Sequence, residues 1–297
     1  MIREISGVSD LSPLDRRSVL RLAIPAAVAV AGAATIADMG AGAAEAALAG
    51  VFAPDREELQ NELTDRIDEH LARSGTLVEA SVAVERGGVR LEYHPAQAHI
   101  TASIVKMEIL AMIQQYWGSV EAIPEDHREL LRLMITESHN DATTELFNFL
   151  GGKAALDAAH ERYGMGGTVS DPDGRWGLTE SVAPDQLAVA NLNLFEGELD
   201  AAQVDLGREL MGEVVDSQNW GVSAAAAADE SVWLKNGWDV ESQLGGLWVV
   251  NSVGVIGGDG DDPIAMAVLT SKALDDVEGI PIVEEIAAIT RAVVDQA

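Results

Sequence analysis

The sequence predicts an α+β fold. A largely antiparallel sheet is built from both ends of the chain, flanked by N- and C-terminal helices, with an all-helical lobe inserted roughly over 103–228. Three observations lead there. Alternating apolar patterns that mark strands occur near 79–94 and return only after 231. The stretch between them carries helical periodicity and loops. Helical patterns also lie outside the strands at each end. Strands so far apart in sequence form one core most simply when both ends join a single sheet.

The elements follow in order. Asp55 with Glu58 makes a capping-box pattern, and Leu59, Leu63, Ile67 and Leu71 then recur on one helical face. Residues 79–85 alternate as a strand, Gly87-Gly88 turns, and 89–94 returns as the second arm of a hairpin. A loop over 95–102 leads to a helix that begins at Ser103 and runs to about Trp117. Further helices are expected at 127–136, 141–150, 153–163, 184–195 and 203–215. Strands are expected at 231–234, 247–253 and 264–270, and a last helix runs from Pro281 to about 294.

Composition bounds the function. The chain has 297 residues, 47% of them apolar and only 4% aromatic, so Ala, Val and Leu must fill the core. It contains no Cys, which excludes disulfides, thiolate metal sites and a lipid-modified cysteine within this sequence. The six His show no metal-ligand spacing. A net charge of −30 argues against nucleic acid and anionic membrane surfaces as partners, because phosphate binding needs clustered Lys and Arg. Residues 1–46 read as an export signal. Arg16-Arg17-Ser18-Val19-Leu20-Arg21 precedes the uncharged run 22–37, and Ala44-Glu45-Ala46 offers a cleavage site. That run is short for a stable span and is broken by Pro25 and Gly32. The expectation is a twin-arginine-type signal, a linker over 47–54, and one domain over 55–297 in a secreted, extracytoplasmic protein that meets membrane only through its signal.

Three short motifs carry the chemistry. In Ser103-Ile104-Val105-Lys106, the serine and lysine are three apart and share one face of a helix. That puts an amine within reach of a hydroxyl it could deprotonate. Ser138-His139-Asn140 and Lys235-Asn236-Gly237 follow in order. Together they supply a nucleophile, a base, a proton relay and an anion partner, the parts of a serine acyl-transfer site. Only four lysines exist, Lys106, Lys153, Lys235 and Lys272, and two of them stand in these motifs. The plainer alternatives are an N-cap role for Ser103, Ser138 or Asn140 and a surface pair for Lys106. Neither Glu108 nor Glu137 stands four residues from Lys106 to make that pair.

The motif set and its order resemble the serine β-lactamase and penicillin-binding-protein superfamily. The phrasing Ala102-Ser103-Ile104-Val105-Lys106 and Trp248-Val249-Val250-Asn251-Ser252 is similar to actinobacterial serine hydrolases of the class A-like branch. The resemblance covers most of the chain after Val78. It implies a β-lactamase/transpeptidase-like fold with Ser103 as nucleophile, Lys106 as base and Ser138 as proton relay. Asn140 would hold the substrate amide and orient Lys106. Lys235 and Asn236 would bind a substrate carboxylate, and Gly237 would leave room for substrate along an edge strand. The backbone N–H of Trp238 would join that of Ser103 in an oxyanion hole, and its ring would wall the pocket. His139, where the family has Asp, reads as loop filler.

No cofactor or metal is implied. The expected partner is a small molecule or peptide bearing a carboxylate, with β-lactam amide hydrolysis as the first activity. A cell-wall-related peptidase or esterase, or a ligand-binding protein with slow or lost deacylation, are the alternatives. The sequence departs from class A enzymes in two ways. The spacing from Ser103 to Ser138 is short, which implies a trimmed lobe. The stretch 171–180 also lacks the family's deacylating glutamate pattern, leaving Asp171, Asp173 and Glu180 as substitutes among which the sequence does not choose.

Overall fold

The computed structural model describes residues 54–297 other than 196. The export signal and all but the last residue of the expected linker lie outside the described residues. A five-stranded antiparallel sheet has the strand order β2-β1-β7-β6-β5. Its strands are β1 (Glu79–Arg86), β2 (Val89–Tyr93), β5 (Val232–Glu241), β6 (Leu247–Ile256) and β7 (Ile264–Ala273). The N-terminal hairpin joins the C-terminal meander through β1 and β7, with Val82 opposite Val268. The sheet is therefore built from both ends of the chain, as expected. A second, two-stranded sheet pairs β3 (His99–Ile100) with β4 (Glu180–Ser181).

Both faces of the main sheet are covered. Helix α1 (Arg56–Ser74) opens on the full capping box, with Asp55 accepting from the Glu58 N–H and the Glu58 side chain accepting from the Asp55 N–H. It buries Leu59, Leu63 and Ile67 beside α8 (Asp276–Val294) on one face. The lobe packs on the other: α2 (Lys106–Trp117), α3 (Glu125–Thr136), α4 (Asn140–Leu150), α5 (Lys153–Arg162), α6 (Ala183–Leu194) and α7 (Ala201–Gly212). Strand alternation divides the two cores. Ala83, Val253, Val255, Ala267 and Leu269 face the lobe, while Val82, Val84, Met266 and Val268 face α1 and α8. Helix α2 is buried from Lys106 to Gln114 and forms the centre of the lobe.

The structure corrects several boundaries. Ser103 lies in a short 3-10 turn, Ala102–Val105, and the α-helix starts only at Lys106. Strand β5 runs on to Glu241, carrying the polar Lys235 and Asn236 inside it. Helix α8 begins before Pro281, because Asp275 accepts from the Glu278 N–H and caps it there. The pair β3–β4 is too short to leave a periodic signal.

Candidate active site

Two special turns set the site. Ala102 and Ser138 both have left-handed backbones, at φ 48° and 57°, a conformation that costs a non-glycine residue about 1 kcal/mol or more. Ala102 turns the chain just before Ser103. Ser138 ends α3, where the following N–H, that of His139, closes on the Leu133 carbonyl. His139 then caps α4, its Nδ1 accepting from the Ala142 N–H at 3.2 Å. The cap is thus His139, and neither Ser138 nor Asn140 takes that role. The Ser138-His139-Asn140 turn is the joint between two helices, which fixes Ser138 and Asn140 on either side of the capping residue.

The three motifs meet at Lys106. Its Nζ lies 2.9 Å from Ser103 Oγ, 3.0 Å from Ser138 Oγ, 2.7 Å from the Ser138 carbonyl and 2.9 Å from Asn140 Oδ1. The last two atoms can only accept, so a neutral amine spends both N–H groups on them. Its lone pair is then left for a hydroxyl, and Ser103 Oγ is in reach. Lys106 is fully buried and has no carboxylate partner among the described residues. Burial pushes its ammonium down to about 7. Lys235 is also fully buried; its Nζ donates to Ser138 Oγ at 3.1 Å and to the Asn236 carbonyl at 2.8 Å. Burial first, and the nearby Lys106 second, hold Lys235 well below its usual range.

Strand β5 presses against the Ser103 turn at Gly237. A Cβ there would lie 2.7 Å from the Ser103 nitrogen and 2.8 Å from that of Ile104. The side of Gly237 on which a Cβ would stand is therefore filled by the protein's own backbone. Asn251 braces the same turn, donating to the carbonyls of Ile100 and Thr101 at 2.9 and 3.1 Å. Asn236 departs from expectation. Its Nδ2 donates to the carbonyls of Gln218 and Trp220 at 2.8 and 2.9 Å, so the amide holds a neighbouring loop and does not face the cleft. Trp238 does line the cleft, packed edge-on against Trp220 at 5.5 Å.

Above Ser103 opens a cleft of about 630 Å³. Its wall includes Ser138, Asn140, Trp176, Gln218, Trp238 and Asp239, but neither Lys106 nor Lys235. The loop 171–180 forms the far side, and none of Asp171, Asp173 or Glu180 lines the cleft. Asp171 instead takes Arg175 in a two-point pair, at 3.0 and 2.8 Å, and accepts the backbone N–H of Asp173. That Arg175 pair holds its carboxyl below the usual range. Asp173 is exposed beside Arg175 at 3.2 Å, and Glu180 is exposed in β4. The loop presents Arg175 and Trp176 to the cleft, the Trp176 ring centre lying 5.1 Å from Lys106 Nζ and its indole N–H donated to Thr144 Oγ1 at 3.2 Å.

Comparison with known proteins places this arrangement. The family model described as "Beta-lactamase enzyme family" matches residues 125–296. The chain belongs to that family. The matched stretch contains the second and third motifs and begins after Lys106. Over 213 residues the chain is 30% identical to proteins named "Putative lipoprotein LppW" in Mycobacterium tuberculosis and Mycobacterium bovis, covering 67% of this chain and 65% of theirs. It thus spans just under two thirds of those relatives' length. Among solved structures it is similar to a class A beta-lactamase from Bacteroides cellulosilyticus, with TM-score 0.67, 16% identity, and coverage of 80% of this chain and 99% of that one. It is similar also to a PBP-A variant solved as an acyl-enzyme with penicillin G, with TM-score 0.65, 20% identity, and coverage of 80% and 97%. At such identities the likeness establishes the β-lactamase/transpeptidase-like fold.

Proposed function

We propose that this chain is an extracytoplasmic serine hydrolase that forms an acyl-serine at Ser103. The observation that carries the reading is the Lys106 amine, 2.9 Å from Ser103 Oγ, with both amine hydrogens accounted for by acceptors. In acylation, Ser103 Oγ bonds to a substrate carbonyl carbon and its proton passes to Lys106. The bond from that carbon to the leaving nitrogen, oxygen or sulfur then breaks. Ser138 Oγ, 3.0 Å from Lys106 Nζ, hands the proton on to the leaving group. Lys235 holds Ser138 in place from the other side. A nucleophile activated in this way splits acyl transfer into two steps. Location rests on the twin-arginine-like 1–46 segment and on the lipoprotein name of the mycobacterial relatives.

A second reading, a protein that is acylated but releases the acyl group slowly, is favoured by the loop 171–180, which brings no carboxylate to the cleft. The two readings share the first step. Labelling with a neutral fluorophosphonate probes that step directly. Wild-type protein should take up one label and Ser103→Ala none, at unchanged melting temperature. Labelling that survives the change would assign the nucleophile elsewhere.

A further inference from the structure

The groups that a substrate carboxylate would need are already in use. Lys235 is fully buried and donates to Ser138 Oγ and the Asn236 carbonyl. Asn236 spends both its amide hydrogens on the carbonyls of Gln218 and Trp220. Arg175 does line the cleft, but it is paired with both Asp171 and Asp173. That trio carries one more negative charge than positive.

The open wall has the opposite character. Lys235, Gly237 and Asp239 share one side of β5, because side chains alternate along a strand. Asp239 is exposed, lines the cleft and has no cationic partner among the described residues. Its Oδ1 accepts only the neighbouring Val240 N–H, at 2.8 Å. Glu137 lines the opposite part of the wall, paired outward with Arg132. Gln218, 8% exposed, reaches the same cleft as a neutral amide, and its Oε1 accepts no hydrogen bond. Trp176 adds an indole ring to the wall, and Trp238 borders it. Indole faces attract cations, most of all weakly hydrated quaternary ammonium groups.

We propose that the cleft over Ser103 takes acyl donors whose far group is cationic or neutral, that Asp239 reads that charge, and that carboxylate-bearing donors are the disfavoured class. This rests on the acyl-serine reading above and names its substrate class. The net charge of −30 acts in the same direction at longer range, since it attracts cations and repels anions on approach.

Three thioesters with one common acyl group test it: those of thiocholine, mercaptoacetamide and mercaptoacetate, which end in a quaternary ammonium, a neutral amide and a carboxylate. Ser103 Oγ would attack the carbonyl, the C–S bond would break, and the thiol would leave with the relayed proton. Water then releases the acid. The chain has no Cys, so a thiol reagent reads only the released thiol. The expected order of kcat/KM is thiocholine, then amide, then mercaptoacetate. The ends of that series should differ by about tenfold or more at low salt, narrowing as salt rises. Asp239→Asn should shrink the thiocholine-to-mercaptoacetate ratio severalfold, and Asp239→Lys should invert it. Release of thiol from the neutral ester that is lost in Ser103→Ala, with no charge order among the three, would overturn this inference and leave the acyl-serine reading standing. A mercaptoacetate preference, or a ratio indifferent to Asp239, would also overturn it. Wild-type protein that releases no thiol from any of the three contradicts both.

Discussion

The two sides of the cleft are built differently. On the side of α2, β5 and the 138–140 turn, Lys106 Nζ is ringed by four oxygen partners, Lys235 reaches the same Ser138 hydroxyl, and both lysines are sealed from solvent. On the loop side, Asp171 and Asp173 are tied to Arg175, and the cleft receives that paired guanidinium and the Trp176 indole. On the acyl-serine reading proposed above, the contrast separates the two half-reactions. Acylation needs a neutral amine beside a hydroxyl, which desolvation of Lys106 provides. Deacylation needs a group that activates water, and no loop carboxylate stands where it would.

The strongest way to break this contrast is at Lys106. Lys106→Met should lower the rate of acylation by about 10² or more, because the proposed general base is lost. It should also change how stability follows pH. Burial lowers the folded-state value to about 7, whereas the unfolded chain keeps the proton to roughly pH 10.4. Between these limits the unfolded chain binds the extra proton. Stability from this group is therefore fully present above about 10.4 and is lost as pH falls toward 7. Lys106→Met should flatten the rise of melting temperature between pH 7 and 10, and Lys235, shifted in the same direction, should leave part of the slope. An unchanged slope would mean that Lys106 is not desolvated as described. In wild-type protein the acylation rate should climb through about pH 7 as the amine becomes neutral.

A smaller effect is expected on the loop side. Asp171→Asn breaks the two-point pair with Arg175 and weakens two backbone N–H bonds to the same carboxylate. The melting temperature should fall by a few degrees, while the lifetime of any acyl-enzyme should stay as in wild type. A longer lifetime in this variant would give Asp171 a part in water activation and erase the contrast.

What could be read from sequence followed the range of the interactions. The α1 cap, the 87–88 hairpin turn and the apolar helix faces are local, and all were legible. The extent of β5 was not, because Lys235 and Asn236 interrupt its apolar pattern and are buried only through the lobe packed on them. At the site, Ser103 and Lys106 announce themselves by spacing, and Ser138, Asn140 and Lys235 by motif. Asn236 looked like a ligand contact because nothing local shows that its amide is consumed by Gln218 and Trp220. Trp176, Gln218 and Asp239 carried no spacing signal. Trp176 and Gln218 reach the cleft from parts of the chain far from the motifs, while Asp239 follows the third motif and gains its place from the course of β5.

The central claim, that the acylating half is complete and the deacylating half is not, is tested most directly by intact mass during turnover. Protein is mixed with excess neutral thioester of mercaptoacetamide, and samples are quenched from the first seconds onward. The account predicts one acyl group per chain, mapped to Ser103, appearing quickly and persisting as the main species while thiol release slows after the first equivalent. Steady, rapid thiol release with unmodified protein as the main species throughout would contradict it, because water would then be reaching and cleaving the acyl-serine as fast as it forms.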